Sequence, residues 1–256
     1  MNGSLLGGGS LRIGSVWGIA VKLHVVFLLW IGFRVLTAID KRAEVIFQLV
    51  LFGSVFLHEL GHCVGARYVK GEALEIILWP LGGLSRMDTP NTAKAEFLST
   101  AAGPAVNLVL ALVAWAGLLA LTGGSPEQTS RWINPFAQPA GEATLLHVAL
   151  RWVSTVNLAL FLFNVLPSYP MDGGRLFRSM LWPLVGWRTA TLVATVLAMG
   201  FGALFVVVGL QVFGDLFLTI IGALILVTSY HEFQRARAFK PLPRAWDDKM
   251  PWERDP

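Results

Sequence analysis

Six apolar runs, each about the 20 residues that a membrane-crossing helix requires, dominate this sequence and leave few ways to fold it. They cover residues 23–39, 44–69, 95–121, 145–166, 190–211 and 213–229, separated by polar or Gly/Pro-rich breaks. Hydrophobic residues make up 55% of the 256 and charged residues 14%, with a mean hydropathy of +0.62. A soluble domain carries about 25% charged residues, and a globule of this size has too little interior for so much apolar surface. The pattern predicts an all-α membrane protein with six transmembrane helices. Residues 1–229 form the membrane domain and 230–256 a charged, Pro-rich cytoplasmic tail. The lone cysteine, Cys63, excludes an internal disulfide. The first 22 residues are Gly-rich and lack the apolar core of a cleavable signal, so the first helix is expected to serve as the signal itself.

The net charge of +4 would suggest nucleic acid in a soluble protein, but here it reads as topology, with the lipid bilayer as the basic residues' partner and no nucleic acid. Six spans put both termini on one side. Fifteen of the twenty Lys and Arg residues fall on that side, so the termini are expected in the cytoplasm of a multi-pass protein of the cell membrane. The other side holds Lys41, Arg42, Arg131 and Arg151, with Arg34 inside the first run near that face.

Two segments read as short β structure at the cytoplasmic face. Residues 12–23 alternate Ile19, Val21 and Leu23 between Gly14 and Gly18, which suggests a strand or two. Residues 72–87 place Pro80, Gly82 and Gly83 between short apolar runs, as a hairpin dipping into the membrane. Its backbone must then be paired or buried in protein.

The chemistry begins at His58-Glu59-Leu60-Gly61-His62 in the second run. On a helix, residues four apart lie one above the other, so both imidazoles can share one Zn²⁺ while Glu59 stands beside its bound water as general base. From this composition a chance match has a probability of about 0.3%. Depth adds to the argument, since an acidic group inside a span costs at least about 2.5 kcal/mol without a compensating partner. A catalytic zinc takes three protein ligands and keeps a fourth position for water. After the fourth run, Pro167 and Pro170 break the helix, and Asp172 precedes Gly173 and Gly174 at the depth of the two histidines. Asp172 is either a turn residue or the missing oxygen ligand, and the second assignment is the one adopted.

These residues resemble the site-2 protease family of intramembrane zinc metalloproteases. The likeness rests on His58-Glu59-x-x-His62 and on Asn164-x-x-Pro167-x-x-Pro170-x-Asp172-Gly173-Gly174. Gly103-Pro104-Ala105-Val106-Asn107 and the turn Leu81-Gly82-Gly83 support it. The resemblance implies one zinc per chain on His58, His62 and Asp172, Glu59 as base, and Asn107 and Asn164 positioning the substrate or its reacting carbonyl. It implies hydrolysis of peptide bonds within the membrane segment of a single-span substrate. The likeness is to the compact six-span branch, without an inserted PDZ domain or an appended CBS pair.

Other readings stay open for individual residues. Asn107 is equally placed to bond a neighbouring helix beside a Gly-Pro kink. Arg175 would either orient Asp172 or anchor the cytoplasmic face. Cys63 reads as a buried small residue, and His24, His147 and His231 as interfacial. A metal transporter would also place His and acidic groups in spans, but along a path through several helices rather than at one depth. A catalytically inactive protein that keeps zinc as a brace is the other alternative.

Overall fold

The computed structural model describes residues 9–80, 82–133 and 144–238. Leu81 of the expected turn, and the tail beyond Ala238, lie outside them.

Strands β1 (Ser10–Val16) and β2 (Ile19–His24) form an antiparallel hairpin. Its two turn residues, Trp17 at φ 50° and Gly18 at φ 81°, are both left-handed. A two-residue turn needs that handedness to match the twist of its strands. Helices α1 (Val25–Thr37) and α2 (Lys41–Tyr68) then carry the chain out and back, so that β3 (Glu72–Trp79) lies parallel to β2. Strand β4 (Gly82–Asp88) returns antiparallel to β3, and the sheet order is β1-β2-β3-β4. The hairpin expected over 72–87 is thus half of a four-stranded sheet, its strands paired to each other and, through β3, to β2. Alternation decides its faces: Ile19, Ile76 and Leu78 are buried against Val55 and Cys63 of α2. The opposite face carries Lys22, whose Nζ lies 2.5 Å from Glu75 Oε2, with Arg86 3.8 Å from the same carboxylate.

Among the described residues, five helices are long and apolar enough to cross a bilayer: α2, α3 (Ala93–Leu121), α5 (Leu145–Val165), α7 (Trp187–Val208) and α8 (Leu216–Ala238). A π-helical turn, Gly209–Phe213, prolongs α7. Short α4 (Pro126–Ile133) follows α3, and α6 (Asp172–Val185) lies in the break between the fourth and fifth apolar runs. The first apolar run gives only the 13 residues of α1, about 20 Å of helix against about 30 Å of hydrocarbon. The reason lies in its first residues: Leu23 and His24 belong to β2, and His24 Nδ1 accepts from Val26 N to cap the helix. Past Ser229, α8 continues for a further two turns before the prolines begin, since Glu232, Gln234 and Arg235 favour helix.

Helices α2 and α3 touch backbone to backbone. A Cβ on Gly61 would lie 2.7 Å from Ala102 O, and one on Gly65 2.8 Å from Ala102 Cβ. Small residues four apart allow such an approach between helices in lipid. Large apolar side chains elsewhere, such as Leu112, Val113, Val196 and Leu204, face outward as a bilayer requires.

Candidate metal centre

His58 and His62 sit one turn apart on α2, and both are buried. Asp172 comes from much later in the chain. Helix α5 stops at Val165, the stretch with Pro167 and Pro170 turns the chain, and α6 opens on Asp172 itself. The turn is tight: a Cβ on Gly173 would lie 2.0 Å from Leu166 O. Asp172 Oδ2 therefore lies 3.1 Å from His58 Nε2 and 3.0 Å from His62 Nε2, and the two nitrogens are 3.0 Å apart. The three atoms make a nearly equilateral triangle.

The other ring nitrogens fix the tautomers. His62 Nδ1 donates to the carbonyl oxygen of Ser99 at 2.9 Å, a partner that can only accept. His58 Nδ1 lies 2.5 Å from Asn107 Oδ1, while Asn107 Nδ2 donates to Asn157 Oδ1 at 2.8 Å. Asn157 Nδ2 donates in turn to Ser54 Oγ and to Val153 O, both at 2.8 Å. Every amide in this chain has its oxygen and nitrogen assigned by its partner, so His58 Nδ1 is a donor too.

Neutral imidazoles with hydrogen on Nδ1 turn bare Nε2 lone pairs inward. Two such nitrogens and a carboxylate oxygen then converge without a donor among them, and Asp172 Oδ2 has no hydrogen-bond partner among the described residues. Three buried acceptors in that position repel one another, and a cation between them removes the cost. Bonds of 2.0–2.1 Å at tetrahedral angles separate ligands by about 3.3 Å, close to the edges seen here. Two imidazoles and one carboxylate are the donor set of a catalytic zinc site, and among the described residues these three form the one such cluster.

Glu59 is buried beside its neighbours, and β4 passes directly over it: a Cβ on Gly83 would lie 2.3 Å from Glu59 Cγ. Gly103 does the same for His62, whose ring would meet an added Cβ at 2.4 Å. The glycines read from the sequence as turn or kink chemistry thus admit two side chains of the site.

Asn107 bonds a ring nitrogen of His58 from behind the triangle. Asn164 donates to Leu160 O at 3.0 Å, back into its own helix. Arg175 pairs with Glu96, its Nε 3.7 Å from Oε1. Arg178 Nε donates to Glu96 at 3.1 Å and its Nη2 to the same oxygen, while Nη1 donates to Glu232 at 3.2 Å. This half-buried group ties α6 to α3 and α8. Cys63 is wholly buried against the sheet. Sequence reasoning missed Ser54, Ser99 and Asn157. Ser54 and Asn157, as polar residues inside apolar runs, were the available signal, whereas Ser99 acts through its backbone and leaves none.

The sequence profile described as Peptidase family M50 matches residues 46–208, more than half of the chain. The chain belongs to peptidase family M50. Among similar proteins, the zinc metalloprotease Rip3 of Mycobacterium tuberculosis is 34% identical over 188 residues, which cover 68% of this chain and 44% of Rip3. A zinc metalloprotease of Methanocaldococcus jannaschii is 32% identical over 188 residues, covering 72% of this chain and 49% of its own. The chain therefore spans about half the length of the curated relatives it matches. The solved site-2 protease from Methanocaldococcus jannaschii superposes with a TM-score of 0.55 at 25% identity, over 92% of this chain and 99% of that one.

Proposed function

We propose that this M50 protein is a zinc-dependent endopeptidase that cuts peptide bonds within the membrane segments of single-span proteins. The observation that carries this reading is the convergence of His58 Nε2, His62 Nε2 and Asp172 Oδ2 beside buried Glu59. Zinc held by these three residues would supply a Lewis acid and a bound water with its pKa lowered toward about 7. Glu59 takes the proton of the attacking water and later returns it to the leaving amine. Asn107 and the Ser99 carbonyl hold the imidazoles in the tautomer that leaves Nε2 free.

A substrate helix hides its carbonyls in internal hydrogen bonds, so it must unwind at the cut. Strand β4 is a sheet edge with unpaired backbone groups, and its Gly83 lies against Glu59. An unwound segment added there exchanges its helical hydrogen bonds for ladder bonds next to the base.

In this reading α1 is a short sixth crossing, and both termini face the cytoplasm. Two features support it. The ion pair of Arg34 with Glu44, 3.0 and 3.1 Å, joins the end of α1 to the start of α2. The start of α1 and the end of α2 meet the same sheet, so the two helices run to a common outer end and back. His58 then lies in the inner half of the membrane, and cuts fall toward the cytoplasmic end of the substrate segment.

Glu59→Gln removes the base and keeps all three ligands. With a co-expressed single-span substrate it is expected to retain about one zinc per chain and to lose cleavage by at least about 10²-fold. Near wild-type cleavage by that variant would overturn the assignment. Sequencing the new termini tests depth: cuts in the outer half of the substrate segment would be incompatible with this topology.

A further inference from the structure

Two of the three ligands stand on one helix, whose own geometry sets their separation. Asp172 opens α6 instead, and its place depends on what fixes α6 against the other helices. The stretch before it offers little hold, because Pro167 and Pro170 have no N–H to donate. Arg178 lies six residues beyond Asp172, about 9 Å along the same helix. Its Nε donates to Glu96 Oε1 of α3 at 3.1 Å, with Nη2 on the same oxygen, and Nη1 donates to Glu232 Oε1 of α8 at 3.2 Å. The carbon of the guanidinium lies 5.8 Å from the ring centre of Tyr169 and 5.5 Å from that of Trp187 at the start of α7, both within cation–π range. Tyr169 precedes Asp172 by three residues, so one guanidinium meets the chain on both sides of the ligand. Thr228 and Ser229 of α8 also approach the Tyr169 carbonyl, but 3.3 and 3.5 Å are long for hydrogen bonds, and the guanidinium is the stronger hold.

The other end of the bridge also bears on the metal centre. Glu96 precedes Ser99 by three residues, about 4.5 Å along α3, and the Ser99 carbonyl accepts from His62 Nδ1. The Arg178–Glu96 pair therefore joins the helix that supplies Asp172 to the helix that orients His62. We propose that Arg178 is a positioning residue for the metal centre: by bridging Glu96, Glu232 and the Tyr169 ring it holds Asp172 at its distance from His62, although it is not itself a ligand. The inference rests on the zinc reading of His58, His62 and Asp172 and adds to it the group that sets one edge of their triangle. That role requires a fork. A guanidinium offers five donors in one plane and a flat face for rings, whereas a lysine ammonium balances the same carboxylates as a point charge on a flexible stem. Groups that hold a ligand from behind typically contribute 10- to 100-fold to metal affinity, and Arg178, which acts through the backbone, is expected to contribute about 10-fold.

The test compares the purified wild type with Arg178→Lys, which keeps the charge and removes the fork, and with Leu118→Ala. Leu118 is wholly buried on α3, 19 residues from Ser99, so its truncation lowers stability away from the metal centre. Arg178→Lys is expected to keep a Tm near that of the wild type and to bind zinc about 10-fold more weakly in a chelator competition. With Co²⁺ in place of zinc, its visible absorption is expected to change in position and intensity, because the band reports the arrangement of the ligands. Leu118→Ala is expected to lower Tm and to leave zinc affinity and the cobalt spectrum as in the wild type. Wild-type affinity and an unchanged spectrum in Arg178→Lys would overturn the proposal, as would an equal loss of affinity in Leu118→Ala. A second variant removes the charge pair together, so that neither partner is left alone. Glu96→Gln with Arg178→Met leaves Glu232 its contact with Arg235 at 3.5 Å, and the same loss of affinity is expected. Tight zinc binding by that double variant would also overturn the role of Arg178. A wild type that takes up no zinc would instead overturn the metal reading, and this inference with it.

Discussion

Where α2, α3 and α5 meet, side chains bond across the helices, from His58 to Asn107 to Asn157 to Ser54. Where α7 and α8 meet, Gly202 and Gly222 bring the backbones together, and Arg188 at one end donates to the carbonyls of Ala236 and Arg237 rather than to a relay of side chains. The hydroxyls of Thr191 and Thr195 turn back to carbonyls of their own helix, Trp187 O and Thr191 O. Both contacts bury small residues in lipid-compatible packing. Only the first also fixes a rotation, because an imidazole must present one particular nitrogen. The polar chain belongs to the orientation of the ligands, while the small-residue contact belongs to cohesion.

Substitutions should separate these two jobs. The largest effect is expected from Asp172→Ala, which leaves two ligands for a metal that takes three; elemental analysis should show zinc falling from about one per chain to a small fraction. Equal zinc in the variant would place Asp172 outside the metal's coordination. Asn107→Ala comes next, with all ligands retained but the His58 ring released. A competition titration with a chelator should report roughly 10- to 100-fold weaker zinc binding. An unchanged affinity would erase the distinction between the two helix contacts. Gly222→Val should act the opposite way, since an added Cβ would lie 2.7 Å from Gly202 O. A loss of about 1–3 kcal/mol in detergent stability is expected, with zinc content intact. The smallest effect belongs to Thr195→Val, which deletes a bond internal to one helix and should shift stability by no more than about 0.5 kcal/mol.

The same contrast explains what was legible in the sequence. His58, Glu59 and His62 announce themselves by spacing, because a helix converts four residues into one turn. Asp172 was visible through the prolines and glycines that interrupt its surroundings. Of the partners behind the triangle, Asn107 was named from the sequence, while Ser54, Ser99 and Asn157 were not. Asn157 and Ser54 are 103 residues apart, and nothing local specifies that they meet. Helix α6 was hidden because its apolar stripe is short and contains Pro183. The length of the first helix was overread for a related reason: Leu23 is as apolar in a strand as in a helix, and only pairing with Leu78 of β3 decides which. Arg175 shows the limit of sequence proximity, since it lies three residues from Asp172 and pairs with Glu96.

One inequality between the two histidines bears on how such a site can be lost or retuned over generations. His58 leans on a side chain, so a single codon change at Asn107 reaches it. His62 leans on the peptide carbonyl of Ser99, which every amino acid at that position would still provide. Mutational drift therefore has one accessible handle on the pair and not two. A lineage that weakens its metal grip without changing a ligand is expected to do so through position 107, and the record of such tuning should be sought there rather than at position 99.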